Sequence, residues 1–470
     1  MKKPAKKKSA SNKVRPETLK LTIDSLDQDG IGLAPYDNKI AVVQGAFPGE
    51  TVVAEVEHVG RTHIFTKLCR ILRNSPQRTT NIACTLEREC LGCSLISMKY
   101  ADQLLFKQQR VAEALQKQGL LENVQVLPVL PSEPPFGYRA SAKLAFSRQR
   151  EKVFIGLYKR GSHEVIDCPE CPVHHPLINK IAAVVRDEVQ RQNISVYNPH
   201  HQRGLLRYLL VRVSPFSGKA LVTLVSNFRD LQQLPKLAKW LMRKVPEVIG
   251  VHQNINSSSG NVILGGQTMK LQGLPDLIET VGDVRLRIAP EAFFQINTGQ
   301  AAKIYALVRQ WAQLNKADTA IDLYCGIGGI ALHLAKDAGE VLGIEAFDGA
   351  VQNAAENSRL NDLHNCHFFA GDAAEELQKR AGHRSPSLIT VNPPRKGCSD
   401  ELLETLQHLQ SRQIIYVSCD PDTLARDLKS LTENGYRIQR LQPVDMFPQT
   451  AHIETVVQLE GKGRLKQNIG

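Results

Sequence analysis

Residues 319–336 read TAIDLYCGIGGIALHLAK, in which an apolar strand runs into a glycine turn and the turn opens a helix. Such a turn lets a ligand approach the backbone closely and meet the N-terminus of the helix. Strand-like and helix-like runs then alternate as far as YRIQRLQPVDM, residues 436–446. This alternation is typical of a doubly wound parallel sheet, so the sequence predicts an α/β, Rossmann-like fold for the C-terminal part of the chain.

Two acidic residues close the next two strands of this predicted sheet. Glu345 ends the strand in EVLGIEA, and Asp372 follows the strand in CHFFAG. The first carboxylate can accept hydrogen bonds from ribose hydroxyls, and the second is placed to meet an adenine edge. Because no second phosphate-binding motif is present, the pattern favours S-adenosylmethionine over a dinucleotide. An NAD-type domain and a Rossmann-like scaffold without a ligand are the alternatives.

Three later residues carry side chains that suit reaction chemistry at the same edge of the sheet. Asn392 begins NPPRKG, where its amide can donate and accept at the edge of a base and the two prolines stiffen the loop. Cys419 lies between an apolar strand and a helix that starts at Pro421, a place that favours the thiolate. Glu454 lies on a late strand-like run. A buried inert thiol and a solvated strand edge are the alternatives for Cys419 and Glu454.

A thiol and a carboxylate beside a methyl donor suit one reaction in particular. Carbon 5 of uracil is too weak a nucleophile to take a methyl group directly, but addition of a thiolate at carbon 6 makes carbon 5 nucleophilic. A base must then remove the proton on carbon 5 so that the thiol can leave. The sequence therefore predicts Cys419 as the nucleophile and Glu454 as the proton acceptor.

The N-terminal half is predicted to hold a β-rich module and a mixed central domain. Strand-like runs between Leu19 and Leu72, separated by Gly, Pro and Asp, indicate a small OB-like barrel of the kind that often holds RNA. From Phe136 to Leu274, further strand-like runs surround one predicted helix near INKIAAVVRDEVQRQ, which indicates an α+β domain.

Charge and composition limit the class of protein. The net charge is +12, and seven cations precede the first acid, Glu17, so the tail is predicted to be a basic arm for nucleic acid or a solvated leader. A hydrophobic fraction of 42% with 23% charged residues is ordinary for a globular protein. Without an uncharged apolar run of ~18 residues or a signal peptide, membrane-spanning and secreted classes are excluded, and we expect a cytoplasmic protein.

Ten cysteines in such a chain indicate thiols with chemical roles rather than disulfides. Cys84, Cys90 and Cys93 have the spacing C-x5-C-x2-C, and Cys168 or Cys171 can complete a set of four. Four thiolates can hold a tetrahedral zinc ion or an iron–sulfur cluster, and spacing alone favours zinc. Buried, inert thiols are expected at Cys69, Cys325, Cys366 and Cys398.

The chain resembles the RNA uridine-C5 methyltransferase family, and within it the larger bacterial members that modify 23S ribosomal RNA and carry a TRAM domain and an iron–sulfur cluster. The motifs that carry the resemblance are DGIGLA, AFPGETVVAEV, FFQIN, DLYCGIGG, GIEA, VNPPRKG, YVSCDPDTLARD and DMFPQTAHIE. The resemblance implies cofactor-binding roles for Gln295, Tyr324, Gly329, Glu345, Asp372 and Asn392, and a [4Fe–4S] cluster on Cys84, Cys90, Cys93 and Cys171. Gly329 stands where some members have Asn, and Asn392 stands where many have Asp.

The same resemblance implies an organisation and a target. The predicted segments are a disordered basic tail at 1–14, a TRAM domain at 15–74, an iron–sulfur-containing central domain at 75–288 with a helix at 99–120 that packs on the catalytic domain, and an S-adenosylmethionine-dependent methyltransferase domain at 289–470. The predicted substrate is a uridine of the 1939 type in 23S ribosomal RNA, modified by a monomer without a membrane or an obligate protein partner. The alternatives are another ribosomal RNA or tRNA uridine, amino-group methylation through NPPR, and a non-catalytic RNA-binding iron–sulfur scaffold.

Overall fold

The computed structural model describes residues 17–90, 92–159, 162, 164–260, 262–381 and 386–461. The predicted basic tail at 1–14 lies outside these residues. Contacts divide the chain into two units, the first reaching Ile82 and including Ser97–Lys99, the second holding Ala83–Ile96 and the chain from Tyr100 onward. None of the described helices has both the length and the apolar composition that a membrane crossing needs.

The first unit is a six-stranded sheet in the spatial order β1-β5-β6-β4-β3-β2. Its neighbours are antiparallel except β4 and β6. Leu19, Leu21 and Ile23 alternate with exposed residues, and this two-residue period buries one face of the first strand. The strands are β1 Thr18–Thr22, β2 Ser25–Leu26, β3 Gly32–Tyr36, β4 Lys39–Val43, β5 Thr51–Val59 and β6 His63–Arg73. The predicted N-terminal β-rich module is confirmed, and its assignment as a TRAM domain stays a prediction.

The second unit begins with a helix and a mixed seven-stranded sheet, the central sheet, in the order β13-β12-β11-β10-β7-β8-β9. Its elements, after a short 3-10 helix at Leu121–Asn123, are α1 Tyr100–Lys117, β7 Ser141–Gln149, β8 Lys152–Tyr158, β9 Val165–Asp167, α2 Pro176–Arg191, β10 Leu206–Ser214, β11 Lys219–Ser226, α3 Gln233–Lys244, β12 Val248–Ile255 and β13 Gln267–Gly273. Both α2 and α3 bury apolar residues in the single core of this sheet. The prediction of one helix here is wrong, because Pro235 lies in the first turn of α3, where a missing N–H is tolerated.

The remaining chain forms a hairpin and the second seven-stranded sheet, the catalytic sheet, in the order β18-β17-β16-β19-β20-β22-β21. Its first five strands are parallel, whereas β22 is antiparallel to both neighbours. The elements are β14 Leu277–Val281, β15 Val284–Ile288, α4 Thr298–Ala312, β16 Thr319–Leu323, α5 Gly329–Ala335, β17 Glu340–Glu345, α6 Asp348–Leu360, β18 Cys366–Ala370, α7 Ala373–Ala381, β19 Leu388–Val391, α8 Asp400–Leu409, β20 Gln413–Ser418, α9 Pro421–Glu433, β21 Tyr436–Val444 and β22 Glu454–Gly461. Helices α4, α5 and α6 share one core, and α1, α7, α8 and α9 share the other, so the predicted doubly wound α/β fold is confirmed.

Helix α1 packs on α9 and β21 and carries a buried ion pair. The Nζ of Lys107 lies 2.5 Å from Oδ1 of Asp445, and both side chains are fully buried. The hydroxyl of Tyr100 donates to Oδ2 of Asp445 at 2.8 Å, and Lys107 also donates to the Phe447 carbonyl at 3.0 Å. A buried charge is tolerated when it is paired and hydrogen-bonded, and these contacts meet that condition. They fix the segment after β21 against α1.

We predict that Lys107→Met destabilises the protein by about 3–5 kcal/mol, because it leaves the Asp445 charge buried without its partner. Lys117→Met, at the exposed end of the same helix beside Asp422, should cost about 0–1 kcal/mol. Urea unfolding of both variants measures the difference. Adding Asp445→Asn to Lys107→Met should restore part of the stability, and equal losses for the two single variants would contradict this account.

Candidate active site

One edge of the catalytic sheet gathers most of the residues predicted to be functional. All parallel strands present their carboxyl ends at the same side of a sheet. Since β22 is antiparallel to β20, the first residue of β22 lies where β20 ends. The structure therefore brings the predicted strand-end residues to one edge: Tyr324, Glu345, Asp372, Asn392, Cys419 and Glu454.

The glycine turn after β16 is tied to the end of β17 by Glu345. Its Oε2 accepts from the Gly326 backbone N–H at 3.1 Å, and its Oε1 accepts from that of Phe347 at 3.0 Å. Tyr324 has a φ of 59°, an uncommon value for a residue other than glycine. A Cβ on Gly326 would meet no atom within 4 Å, so open space lies beside the turn. Space, backbone N–H groups and a carboxylate at one point fit a nucleoside ligand.

Gly329 differs from its neighbours in this turn because a side chain there would collide with the protein. A Cβ on Gly329 would lie 2.6 Å from the Tyr305 hydroxyl oxygen. Tyr305 is buried and its ring lies 5.0 Å from that of His333. Glycine at this position is thus required by the packing of Tyr305, and Gly329 can offer a ligand only its backbone.

The other three predicted cofactor residues are held to different degrees. Oδ1 of Asp372 accepts from the backbone N–H groups of Ala374 and Glu375, which caps α7. Asn392 is half-buried, and its backbone N–H donates to the Leu323 carbonyl at 3.4 Å, which joins the ends of β19 and β16. Gln295 lies half-buried in the loop before α4. Within the described chain its side chain makes no hydrogen bond to the other site residues.

Cys419 and Glu454 are neighbours through the pairing of β20 with β22. Ser418 pairs with Thr455, so the residue after Ser418 and the residue before Thr455 face each other across the strand ends. Glu454 is 5% exposed, whereas Cys419 is half-buried. Two residues 35 positions apart in the chain are thereby placed as neighbouring thiol and carboxyl groups, and their catalytic roles stay predictions.

Burial decides the protonation of this pair. Burial raises the pKa of Glu454 to about 8, and burial together with the negative charge of Glu454 raises the pKa of Cys419 to about 11. The sequence predicted that the helix start at Pro421 favours the Cys419 thiolate. Because the pKa of Cys419 is raised, this prediction is wrong for the protein without a bound ligand. Asp420 caps α9, accepting from the N–H groups of Asp422 and Thr423, and its negative charge also raises the pKa of Cys419.

Arg395 is a site residue to which the motif analysis assigned no role. Its charge lowers the pKa of both Cys419 and Glu454, so it lies within electrostatic range of the pair. One Nη of Arg395 is 3.3 Å from Nε2 of His452. The signal was present in the sequence, since Arg395 is the arginine of NPPR, but its distance from Cys419 depends on the fold.

Asp322 is a second residue that pattern reasoning missed. It is 1% exposed, it accepts from the Thr390 hydroxyl at 2.6 Å and the Ala331 N–H at 3.0 Å, and burial raises its pKa to about 7. These bonds tie β16 to β19 and to the start of α5. Asp322 therefore positions the glycine turn, and its place inside an apolar strand gave no sequence signal.

The cysteines of the predicted metal site lie near one another in the second unit. A hydrogen bond from the Cys168 thiol lowers the pKa of Cys90, and negative charge on Cys84, Cys90 and Cys171 would raise the pKa of Cys93. The donor set thus fits a thiolate-bound group chemically. Within the part of the chain that the structure describes, however, no three such side chains are arranged to hold a metal ion.

The cysteines without an assigned role are Cys69, Cys325, Cys366 and Cys398. The last three are buried, as expected. Cys69 is exposed, so the expectation of a buried thiol is wrong there, because the β5–β6 register passes from Leu68 to Arg70 and leaves Cys69 at a bulge.

Comparisons with known proteins match almost the whole chain. The sequence model of the family described as tRNA (uracil-5-)-methyltransferase matches residues 99–462. This chain belongs to that family. An uncharacterized RNA methyltransferase of Geobacter sulfurreducens is 44% identical over 95% of this chain and 91% of its own length, and one of Bacillus cereus is 37% identical over 95% and 97%. The crystal structure of tRNA (uracil-54, C5)-methyltransferase from Pyrococcus abyssi in complex with S-adenosyl-L-homocysteine has a TM-score of 0.76, with 26% identity over 94% of this chain and all of that one.

Family membership confirms the predicted enzyme class, an RNA methyltransferase of the uracil-C5 type. The comparisons support S-adenosylmethionine as the methyl donor and RNA as the substrate. The fold class of a Rossmann-like methyltransferase is confirmed as well. The target RNA, the cluster and the roles of individual residues stay predictions.

We predict that alkylation of Cys419 by iodoacetamide accelerates about tenfold per pH unit from pH 7 to pH 10, because only the thiolate reacts and its pKa is about 11. Arg395→Ala removes a charge that favours the thiolate, and should slow alkylation roughly threefold at pH 8, a modest change because Arg395 is exposed. Lys396→Ala, next in the chain, is the control. Site-resolved mass spectrometry measures the rates, and a rate independent of pH would contradict the raised pKa.

Proposed function

We propose that this protein transfers a methyl group from S-adenosylmethionine to carbon 5 of a uridine in 23S ribosomal RNA, of the 1939 type. The pairing of β20 with β22, which sets Cys419 beside Glu454, is the observation that carries the proposal. The large-subunit target is supported by the resemblance of the N-terminal β-rich module and the cysteine spacing to the larger bacterial members of the family.

The methyl donor would occupy the edge formed by the glycine turn. Glu345 and Asp372 would hold its ribose and adenine, with Gln295, Tyr324, Asn392 and the Gly329 backbone at the same edge of the sheet. The bound donor supplies an electrophilic methyl group on a positively charged sulfur. Open space beside Gly326 and the position of Glu345 support this fit.

The two central side chains would act in sequence on the uracil ring. The Cys419 thiolate forms a bond to carbon 6, which makes carbon 5 nucleophilic toward the methyl group. After carbon 5 is methylated, Glu454 accepts its proton, the electron pair of that C–H bond restores the double bond, and the thiolate leaves. A carboxyl whose pKa burial raises to about 8 is a stronger base than an ordinary glutamate, which suits this step.

A tRNA uridine is the second candidate target. The Pyrococcus abyssi enzyme, described as acting on tRNA uracil 54, shares its fold with 94% of this chain. Separate methylation of 23S ribosomal RNA fragments and tRNA transcripts by the purified protein distinguishes the two targets. Amino-group methylation and a non-catalytic scaffold both predict no 5-methyluridine in either RNA.

We predict that RNA carrying 5-fluorouridine becomes covalently bound to Cys419, because fluorine on carbon 5 cannot leave as a proton and the adduct persists. Cys419→Ala should bind RNA without forming the adduct, whereas Cys69→Ala, which removes an exposed thiol outside the site, should form it normally. Glu454→Gln should methylate ordinary RNA but release it slowly, leaving complexes that resist denaturant. Denaturing gels measure both outcomes, and an adduct in Cys419→Ala would exclude Cys419 as the nucleophile.

We further propose that Cys84, Cys90, Cys93 and Cys171 bind a [4Fe–4S] cluster. Their mutual electrostatic influence, and that of Arg139 on Cys90, Cys93 and Cys171, support a compact group of thiols beside a cation. Anaerobically purified protein should then contain roughly four irons per chain and absorb visible light. Cys93→Ser should lose both signals and Cys69→Ser should keep them. Stoichiometric zinc without visible absorbance would contradict the cluster.

A further inference from the structure

A groove of about 830 Å³ lies in the second unit, on residues that the proposed chemistry does not use. The ends of β7, β8 and β10 form one side, and the loop between α2 and β10 forms another. Its most informative side chains are three tyrosines, Tyr158, Tyr197 and Tyr208, and three arginines, Arg148, Arg150 and Arg207.

Arg207 carries a buried charge in this groove. Only 6% of it is exposed, and no carboxylate pairs with it in the described part of the chain. Its Nη1 donates to the carbonyls of Asn256 and Ser258, and its guanidinium lies 4.5 Å from the centre of the Tyr197 ring, but its Nε meets no acceptor among the described residues. Buried charges are normally paired, so this guanidinium indicates an anionic ligand.

The rest of the lining has the same sign of charge. Arg148 and Arg150 add two cations, whereas Glu164 is the only acid among the described lining residues. Glu164 lies 3.8 Å from Lys159, which offsets its charge. Arg150 is exposed at the turn between β7 and β8 and is free to reach a phosphate. The groove is therefore electrostatically suited to a polyanion.

The tyrosines add flat apolar surface next to these cations. Tyr158 is 43% exposed, and its hydroxyl oxygen lies 3.3 Å from that of Tyr208. Tyr197 and Tyr208 are half-buried, so Tyr158 is the exposed ring of the three. An exposed aromatic ring beside arginines is a combination that binds single-stranded nucleic acid, since a base stacks on the ring and phosphates pair with the cations. A duplex hides its base faces and would use only the cations.

We propose that this groove binds an unpaired segment of the RNA substrate, with a base stacked on Tyr158 and phosphates paired with Arg150 and Arg207. The inference rests on the proposed function for the identity of the ligand as RNA. The groove shares no residue with the site around Cys419, so it supplies affinity and register rather than chemistry.

The test measures affinity of the full-length protein for a labelled single-stranded oligouridylate of roughly 12 nucleotides, without methyl donor, across a range of salt. Tyr158→Ala should weaken binding about tenfold, while Tyr158→Phe, which keeps the ring, should bind like the wild type. Arg150→Gln should lower the slope of log affinity against log salt by about 0.7. Phe216→Ala with Lys219→Gln removes an exposed ring from the β10–β11 turn and a cation from the first residue of β11 in the same sheet, and should change neither quantity.

The proposal would be overturned if Tyr158→Ala kept the wild-type affinity and Arg150→Gln kept the wild-type salt slope. Equal losses in the control variant would overturn it as well. If Tyr158→Ala weakens binding of a blunt RNA duplex as much as binding of the single strand, the claim that the groove prefers unpaired RNA is wrong. Methylation by the wild type is measured separately. If the wild type makes no 5-methyluridine while groove variants lose affinity, the proposed function fails and the groove stands. If the wild type methylates RNA to 5-methyluridine but Tyr158→Ala and Arg150→Gln bind normally, the groove proposal fails and the proposed function stands.

Discussion

The buried contact between Lys107 and Asp445 is the constraint on which the active site depends. The two residues are 338 positions apart, and neither charge is tolerated there without the other. Gln103 extends the contact by bonding both Gln449 and the Leu95 carbonyl. Helix α1 thereby holds the segment that ends at Glu454. The position of the proposed base thus depends on a helix outside the catalytic sheet.

The same burial that orders this segment also sets its electrostatics. Cys419 and Glu454 both have raised pKa values, so at neutral pH the free site holds mostly the uncharged thiol and carboxyl. That avoids two like charges in a dry site. The exposed Arg395 opposes this effect, because its positive charge lowers the pKa of both Cys419 and Glu454.

The central sheet contributes to the site through the loop that carries Gln295. The Ala140 N–H donates to the Ile296 carbonyl at 2.7 Å, and the Arg212 guanidinium donates to the Ala292 carbonyl. These two anchors lie on either side of Gln295 in the chain. Helices α2 and α3 share one core with this sheet, and the groove near Tyr158 lies at its strand ends.

Sequence by itself determined the alternation of strands and helices, the glycine turn and the carboxylates at strand ends, because parallel strands bring such residues to one edge in any doubly wound sheet. It also singled out Cys419 and Glu454 by their chemistry. Only the tertiary structure decided that β22 runs antiparallel to β20 and sets these two side by side, that Asp420 and burial raise the thiol pKa, and that Arg395 reaches them. It alone also showed Asp322, α3 and the buried Arg207, whose Nε meets no acceptor among the described residues. Burial and long-range pairing depend on where distant segments meet, and local periodicity carries no record of that.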